Sequence, residues 1–112
     1  MNKFKVGVVG ATGMVGQRFV SLLENHPWFE LTTVAASPRS AGKTYKDAIG
    51  NRWAMATPMP ANAAGLIVKN AEDDAEDIAR EVDFIFSAVD MKKEEIRALE
   101  EKYAKLECPV VS

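Results

Sequence analysis

Apolar residues run almost unbroken over Phe4–Val9 (FKVGVV), a short β-branched stretch closed by glycine. Such a run predicts a strand buried on both faces of a parallel sheet. A glycine-bearing turn follows at residues 10–13, and from Met14 the spacing turns helical. Val15, Phe19, Leu22 and Leu23 stand at i, i+4, i+7 and i+8 and predict a single apolar helix face. Asn25 and Pro27 should end that helix, Asn by tolerating a left-handed cap and Pro by lacking a donor N–H. Phe29–Ala36 (FELTTVAA) predicts a second strand. Strand, helix and strand within about 30 residues make a βαβ unit, right-handed in nearly all folds.

Further along, residues 37–42 read as a loop and residues 44–49 as a short helical turn. Residues 50–65 contain Pro58 and Pro60 and show no period, which suggests a long functional or packing loop. Residues 66–68 (LIV) predict a third strand, residues 74–81 a helix with acidic residues in its first turn, and residues 82–89 (VDFIFSAV) a fourth strand. Asp90 can cap a helix reaching to about residue 105, with Ile96, Leu99, Tyr103 and Leu106 inward and Glu94, Glu95, Glu100 and Glu101 on a solvated face. Residues 109–112 (PVVS) begin a fifth strand. The expected fold class is α/β: a Rossmann-type doubly wound parallel sheet, truncated after the start of strand 5. Residues 1–112 form one domain, with no room for a second.

Composition adds exclusions. The chain is 47% hydrophobic and 27% charged with net charge −2, so no basic field exists for nucleic acid. Residues 1–50 carry six Lys/Arg against three Asp/Glu (+3), and residues 51–112 carry eight against thirteen (−5). The positive half suits an anionic ligand. A single cysteine, Cys108, rules out an internal disulfide and fits a reducing compartment. No apolar run approaches the ~18 residues of a membrane span, and the start shows no signal-peptide pattern. A cytoplasmic protein without nucleic-acid or membrane partners is the expectation.

The central motif is Gly10-x-x-Gly13-x-x-Gly16 between the first strand and the first helix. Gly10 allows a sharp exit from the strand, Gly13 lets backbone N–H groups approach a diphosphate, and Gly16 lets helix and strand pack closely. The helix N-terminus adds unpaired donors and partial positive charge. The nucleotide phosphate loop requires Gly-Lys-Ser/Thr at the helix start, where this chain has Val15-Gly16-Gln17, so that alternative fails. NAD sites place a carboxylate at the end of the second strand. Residues 31–46 contain none, offering Ser37, Arg39 and Ser40 with Lys43 and Lys46 nearby. Hydroxyls and a guanidinium suit a 2′-phosphate, so NADP is the expected cofactor.

With these residues in view, the chain resembles the amino-terminal domain of the aspartate-semialdehyde dehydrogenases, particularly their archaeal and fungal-like branch. The matching stretches are VGVVGATGMVG (6–16), ASPRSAGK (36–43), FSAV (86–89) and PVVS (109–112). The resemblance implies that Thr12, Gly13, Met14 and Val15 meet the diphosphate and that Ser37, Arg39 and Ser40 hold the 2′-phosphate. Ser87 and Ala88 would lie toward the nicotinamide, and the strand order would be 3-2-1-4-5. It further implies reduction of β-aspartyl phosphate to the semialdehyde by NADPH through a cysteine thioester, in lysine, methionine and threonine biosynthesis. Substrate-binding arginines and a catalytic histidine would accompany that cysteine. Dimers or tetramers, assembled through a catalytic domain absent from this chain, would follow. The same architecture serves other acyl-phosphate and acyl-CoA reductases, such as N-acetyl-glutamyl-phosphate and malonyl-CoA reductases; a non-enzymatic NADP sensor is the remaining alternative. No catalytic or metal-ligating set is assigned within the chain. Cys108 reads as a buried small hydrophobe, His26 as an exposed cap, and Trp28 and Trp53 as packing residues.

Overall fold

The computed structural model describes residues 3–24, 26–89 and 93–111. The caps expected at Asn25 and Asp90, and Ser112 of the closing motif, lie outside the described residues. Five strands, β1 (Phe4–Val9), β2 (Phe29–Ala36), β3 (Lys69–Asn70), β4 (Phe84–Ser87) and β5 (Val110–Val111), form one sheet in the order β3-β2-β1-β4-β5. All four pairings are parallel. Helices α1 (Met14–Leu22), α2 (Tyr45–Ile49) and α3 (Ala61–Ala64) cover one face, and α4 (Ala75–Glu81) and α5 (Lys93–Lys105) the other.

Why β1 is central follows from its residues. Val6, Val8 and Val9 have no exposed surface, with Val6 and Val8 facing the α1 side and Val9 the α5 side. Burying each side chain stabilises by about 1.5–3 kcal/mol, which only a strand covered on both faces obtains in full. The expected inner face of α5 is also found: Leu99 and Tyr103 are buried, with Ile96 and Leu106 partly so.

Four expectations are corrected. The buried face of α1 is Gly16, Gln17, Val20 and Leu23, while Val15 and Leu22 are exposed. The helix turns toward the sheet through its glycine, because only there can its backbone approach β1; the apolar pattern carries no sign of this. Next, residues 66–68 form no strand of the main sheet. Thr44 and Ile67 make an isolated antiparallel bridge, and the strand proper begins at Lys69. Gly42 and Tyr45 donate to the Val68 and Leu66 carbonyls, so those residues are drawn toward the 42–45 segment instead. Finally, Trp28 is 62% exposed rather than packed, whereas Trp53 is half-buried beside Tyr45 and donates to the Thr57 carbonyl. His26 is half-buried, not fully exposed; its Nδ1 accepts from the Trp28 N–H at 3.1 Å and its ring stacks on Phe29.

β2 carries an irregularity of its own. Val6 pairs with Leu31 but Gly7 pairs with Thr33, leaving Thr32 unmatched. The extra residue flips the alternation, so Leu31, Val34 and Ala36 share the α1 face while Ala35 meets the opposite core. Among the described residues the buried Thr32 Oγ1 has no hydrogen-bond partner. A buried hydroxyl without a partner costs about 1–3 kcal/mol. Thr32→Val keeps the shape and removes the unpaired group, and should raise stability by about 1 kcal/mol in denaturant titration. A loss of stability would show that the hydroxyl is satisfied after all.

Candidate functional site

The turn between β1 and α1 is built around three glycines with three different constraints. Gly10 has φ +83°, and a Cβ there would lie 2.8 Å from the Ala88 backbone. At Gly16 a Cβ would lie 2.1 Å from the Gly10 carbonyl oxygen and 2.6 Å from Ala11 Cα, so only glycine fits. Gly13 differs: a Cβ would meet nothing of the protein closer than 3.8 Å. Its φ of −79° is open to any residue. Neither packing nor backbone strain therefore demands glycine at 13. A ligand approaching that backbone would.

The four carbonyls of this turn are all engaged inside the protein. The Gly10 oxygen accepts from the Gly13 N–H at 3.3 Å and the Gly13 oxygen from the Gln17 N–H at 2.8 Å. The Ala11 oxygen accepts from the buried Tyr45 hydroxyl at 2.7 Å, and the Thr12 oxygen from Gln17 Nε2 at 3.0 Å. Among the described residues, the N–H groups of Thr12, Met14, Val15 and Gly16 have no internal acceptor, and no side chain caps α1. The first turn of α1 also holds no acidic residue. Donors with the positive end of a helix dipole behind them form an anion site. Burial pushes the Tyr45 phenol well above its ordinary range, so it stays protonated and donates.

Gly10, Thr12 and Gly13 open into a cleft of about 350 Å³. Its other walls are Ala36, Ser37 and Pro38 after β2, residues 70–72 after β3, and Ala88 and Val89 after β4. The cleft thus lies at the carboxyl ends of four strands, on the point where strand order reverses, where α/β sheets bind ligands. Two larger hollows lie away from that turn. One of about 800 Å³ follows α5 and the β5 edge; one of about 1250 Å³ is lined by Lys3, Lys5 and Glu30 near the amino ends of β1 and β2. Neither adjoins the free amides, so size is a poor guide here.

Of the residues singled out in the sequence, Gly10, Thr12, Gly13, Ser37 and Ala88 come together around the cleft. Met14 and Val15 are exposed at the start of α1, and Gly16 is buried against β1. Arg39 is exposed on the turn following Ser37 and Pro38. Ser40 is only 8% exposed and its N–H donates to the Ser37 carbonyl, so it shapes that turn without lining the cleft. Ser87 is half-buried and lies outside the cleft lining. Cys108 is buried, and burial pushes its thiol pKa up, the opposite of an activated nucleophile. Among the described residues no cluster of His, Cys, Asp or Glu is placed to hold a metal.

Sequence reasoning missed Gln17, Tyr45, Asn70 and Glu72. Gln17 is only 2% exposed and bridges the Thr12 oxygen, the Arg52 oxygen and the Ala54 N–H. Its one available signal was a long polar side chain directly after the third glycine.

A family model described as the NAD binding domain of semialdehyde dehydrogenase matches residues 5–112. The aspartate-semialdehyde dehydrogenase of Aspergillus fumigatus is 41% identical over 110 residues, covering 98% of this chain and 28% of the relative. That of Methanothermobacter thermautotrophicus is 46% identical over 99 residues, 88% of this chain and 26% of the relative. A crystal structure of aspartate semialdehyde dehydrogenase with NADP from Candida albicans superposes with a TM-score of 0.84 at 36% identity. It covers 97% of this chain and 29% of that one. The chain spans a little over a quarter of the length of these relatives.

Tyr45→Phe deletes the donor to the Ala11 oxygen and leaves that carbonyl buried and unpaired. Thermal stability should fall by about 1–3 kcal/mol. Dinucleotide affinity should weaken about tenfold, equivalent to 1.4 kcal/mol of lost preorganisation. Lowered stability with unchanged affinity would reduce Tyr45 to a packing residue.

Proposed function

The chain belongs to the semialdehyde dehydrogenase family through its NAD-binding domain, and from that premise we propose that it is the NADP-binding portion of an aspartate-semialdehyde dehydrogenase. The whole protein would reduce β-aspartyl phosphate to aspartate semialdehyde, an oxidoreduction feeding amino-acid biosynthesis. The single observation that carries the reading is the shared cleft: Thr12, whose N–H has no internal acceptor, and Ser37 and Pro38, which open a turn free of carboxylates, line one space.

Each wall has a role that follows from its chemistry. The unpaired N–H groups of Thr12, Met14 and Val15, with Gly13 leaving room, hold the diphosphate. Ser37 and Arg39, both exposed beside the cleft, take the adenosine 2′-phosphate, with a hydroxyl donor and a guanidinium fork. Ser40 supports that turn from below. Ala88, whose N–H donates to the Val9 oxygen at 2.8 Å, presents a small side chain on the route toward the nicotinamide. Bound NADPH supplies the hydride; the residues of this chain fix where it stands.

No catalytic role is assigned to the described residues. The nucleophile, the acid/base group and the substrate-binding arginines of the proposed activity would belong to the rest of the enzyme. A subunit interface would form largely there as well. The relatives' names support aspartate semialdehyde over the other acyl-phosphate reductases.

Calorimetric titration of the full-length protein with NADPH and NADH tests the reading. NADPH should bind more tightly by at least tenfold, since hydrogen bonds to a charged partner contribute about 1.5–3 kcal/mol each. Arg39→Ala should erase most of that preference while leaving NADH affinity nearly unchanged. Equal affinity of the unaltered protein for the two cofactors would remove the case for Ser37 and Arg39.

A further inference from the structure

The cleft is a sequence of strand ends, and a dinucleotide lying in it meets them in order. From the diphosphate at β1, one strand outward is β2 with the 2′-phosphate turn; the next is β3 with residues 70–72. A base sits on the ribose carbon adjacent to the one bearing the 2′-phosphate. The base therefore lies at the β2 and β3 ends, in the part of the cleft walled by Pro38, Asn70, Ala71 and Glu72.

The loop after β3 is rigid for reasons visible in its hydrogen bonds. Asn70 Oδ1 accepts from the N–H groups of Glu72 and Asp73, at 2.9 and 3.0 Å, and Asp74 Oδ2 accepts from the Asn70 N–H at 2.8 Å. The Ala71 carbonyl accepts from the buried Tyr103 hydroxyl at 2.7 Å, and the Ala71 N–H donates to the Ala36 oxygen. Asn70, Asp73 and Asp74 thus have their side chains engaged within the loop. Glu72 is the exception: the residue is part of the cleft wall and exposed, and among the described residues its carboxylate makes no hydrogen bond.

A carboxylate in a cleft built for an anion repels its ligand unless the ligand brings it a donor. Adenine has one donor on its ring edge, the 6-amino group; its ring nitrogens are acceptors. Resting on the dinucleotide reading above, we propose that Glu72 is a specificity residue that accepts a hydrogen bond from the adenine 6-amino group. It selects adenine over purines lacking that group. The 2′-phosphate is recognised separately, one strand nearer the diphosphate.

The test is a double-mutant cycle between protein and ligand, read as binding affinity on the full-length protein. The ligands are NADPH and its 6-deamino analogue, in which hydrogen replaces the amino group. The unaltered protein should bind the analogue about tenfold more weakly, as for one hydrogen bond to a charged acceptor. In Glu72→Ala the two ligands should bind alike; because the side chain is exposed, the melting temperature should not move. Equal affinity in the unaltered protein, or discrimination that survives in Glu72→Ala, overturns the role of Glu72 alone. Failure of NADPH itself to bind the unaltered protein overturns the dinucleotide reading and this proposal together.

Discussion

A backbone turn can bind an anion only if its carbonyl oxygens are kept out of the way, because each peptide unit brings an acceptor with every donor. In residues 10–13 that condition is met oxygen by oxygen. Two carbonyls accept from backbone N–H groups of the turn and helix, one from the Gln17 amide and one from the Tyr45 hydroxyl. What remains without an internal partner is a set of donors, with Thr12 in the cleft wall and Met14, Val15 and Gly16 following it at the start of α1. The arrangement reaches beyond the turn itself. Gln17 can serve only because Gly16 beside it brings α1 against β1, and Tyr45 only because α2 sits on the same face. The irregular segment after α2 is recruited as well, since Gln17 also holds the Arg52 and Ala54 backbones.

A second buried tyrosine does the same work on the opposite face of the sheet. Tyr103, from α5, fixes the Ala71 oxygen as Tyr45 fixes that of Ala11. Burial holds both phenols above their ordinary pKa, with Cys108 and Asp74 adding to the shift at Tyr103. Both hydroxyls therefore stay protonated and donate at neutral pH. A phenol suits the task because its rigid ring fills the core while its oxygen reaches the edge. Each helical layer thereby anchors one loop of the cleft.

The sequence made some of this plain and concealed the rest for definite reasons. β1 was legible because an almost unbroken apolar run closed by glycine has few other readings, β2 because FELTTVAA is short and largely apolar or β-branched, and the role of Gly10 follows from its place at a strand exit. The buried face of α1 was not legible, since glycine has no hydrophobicity to register and Gly16 is what faces the sheet. The bulge at Thr32 leaves no mark in FELTTVAA, where two threonines satisfy either register. β3 was misplaced because the apolar residues before it pack against residues 42–45, while the strand itself reads Lys-Asn. Gln17, Tyr45 and Glu72 draw their meaning from partners 5 to 37 residues away or from a ligand, and a local pattern encodes neither. The absence of acid over residues 31–46 was readable because it is a property of composition alone.

Recognition distributed over separate strand ends has a consequence for how such a site changes. The carboxyl ends of β1, β2, β3 and β4 each contribute one short loop to the cleft, and β1, β2 and β4 are locked by Val6, Val8, Val9, Val34 and Ile85, which have no exposed surface. A substitution in one loop alters contact with one part of the ligand and leaves the spacing of the others unchanged, because that spacing is set by the sheet. Charge is partitioned in the same way: Arg39 follows β2, and Glu72 follows β3. Opposite charges in adjacent loops cancel at long range, yet each acts fully on the group it touches, where the distance is shortest. The sheet keeps those two contacts apart. That separation would let one anionic ligand meet a guanidinium beside the cleft and a carboxylate residue in its wall.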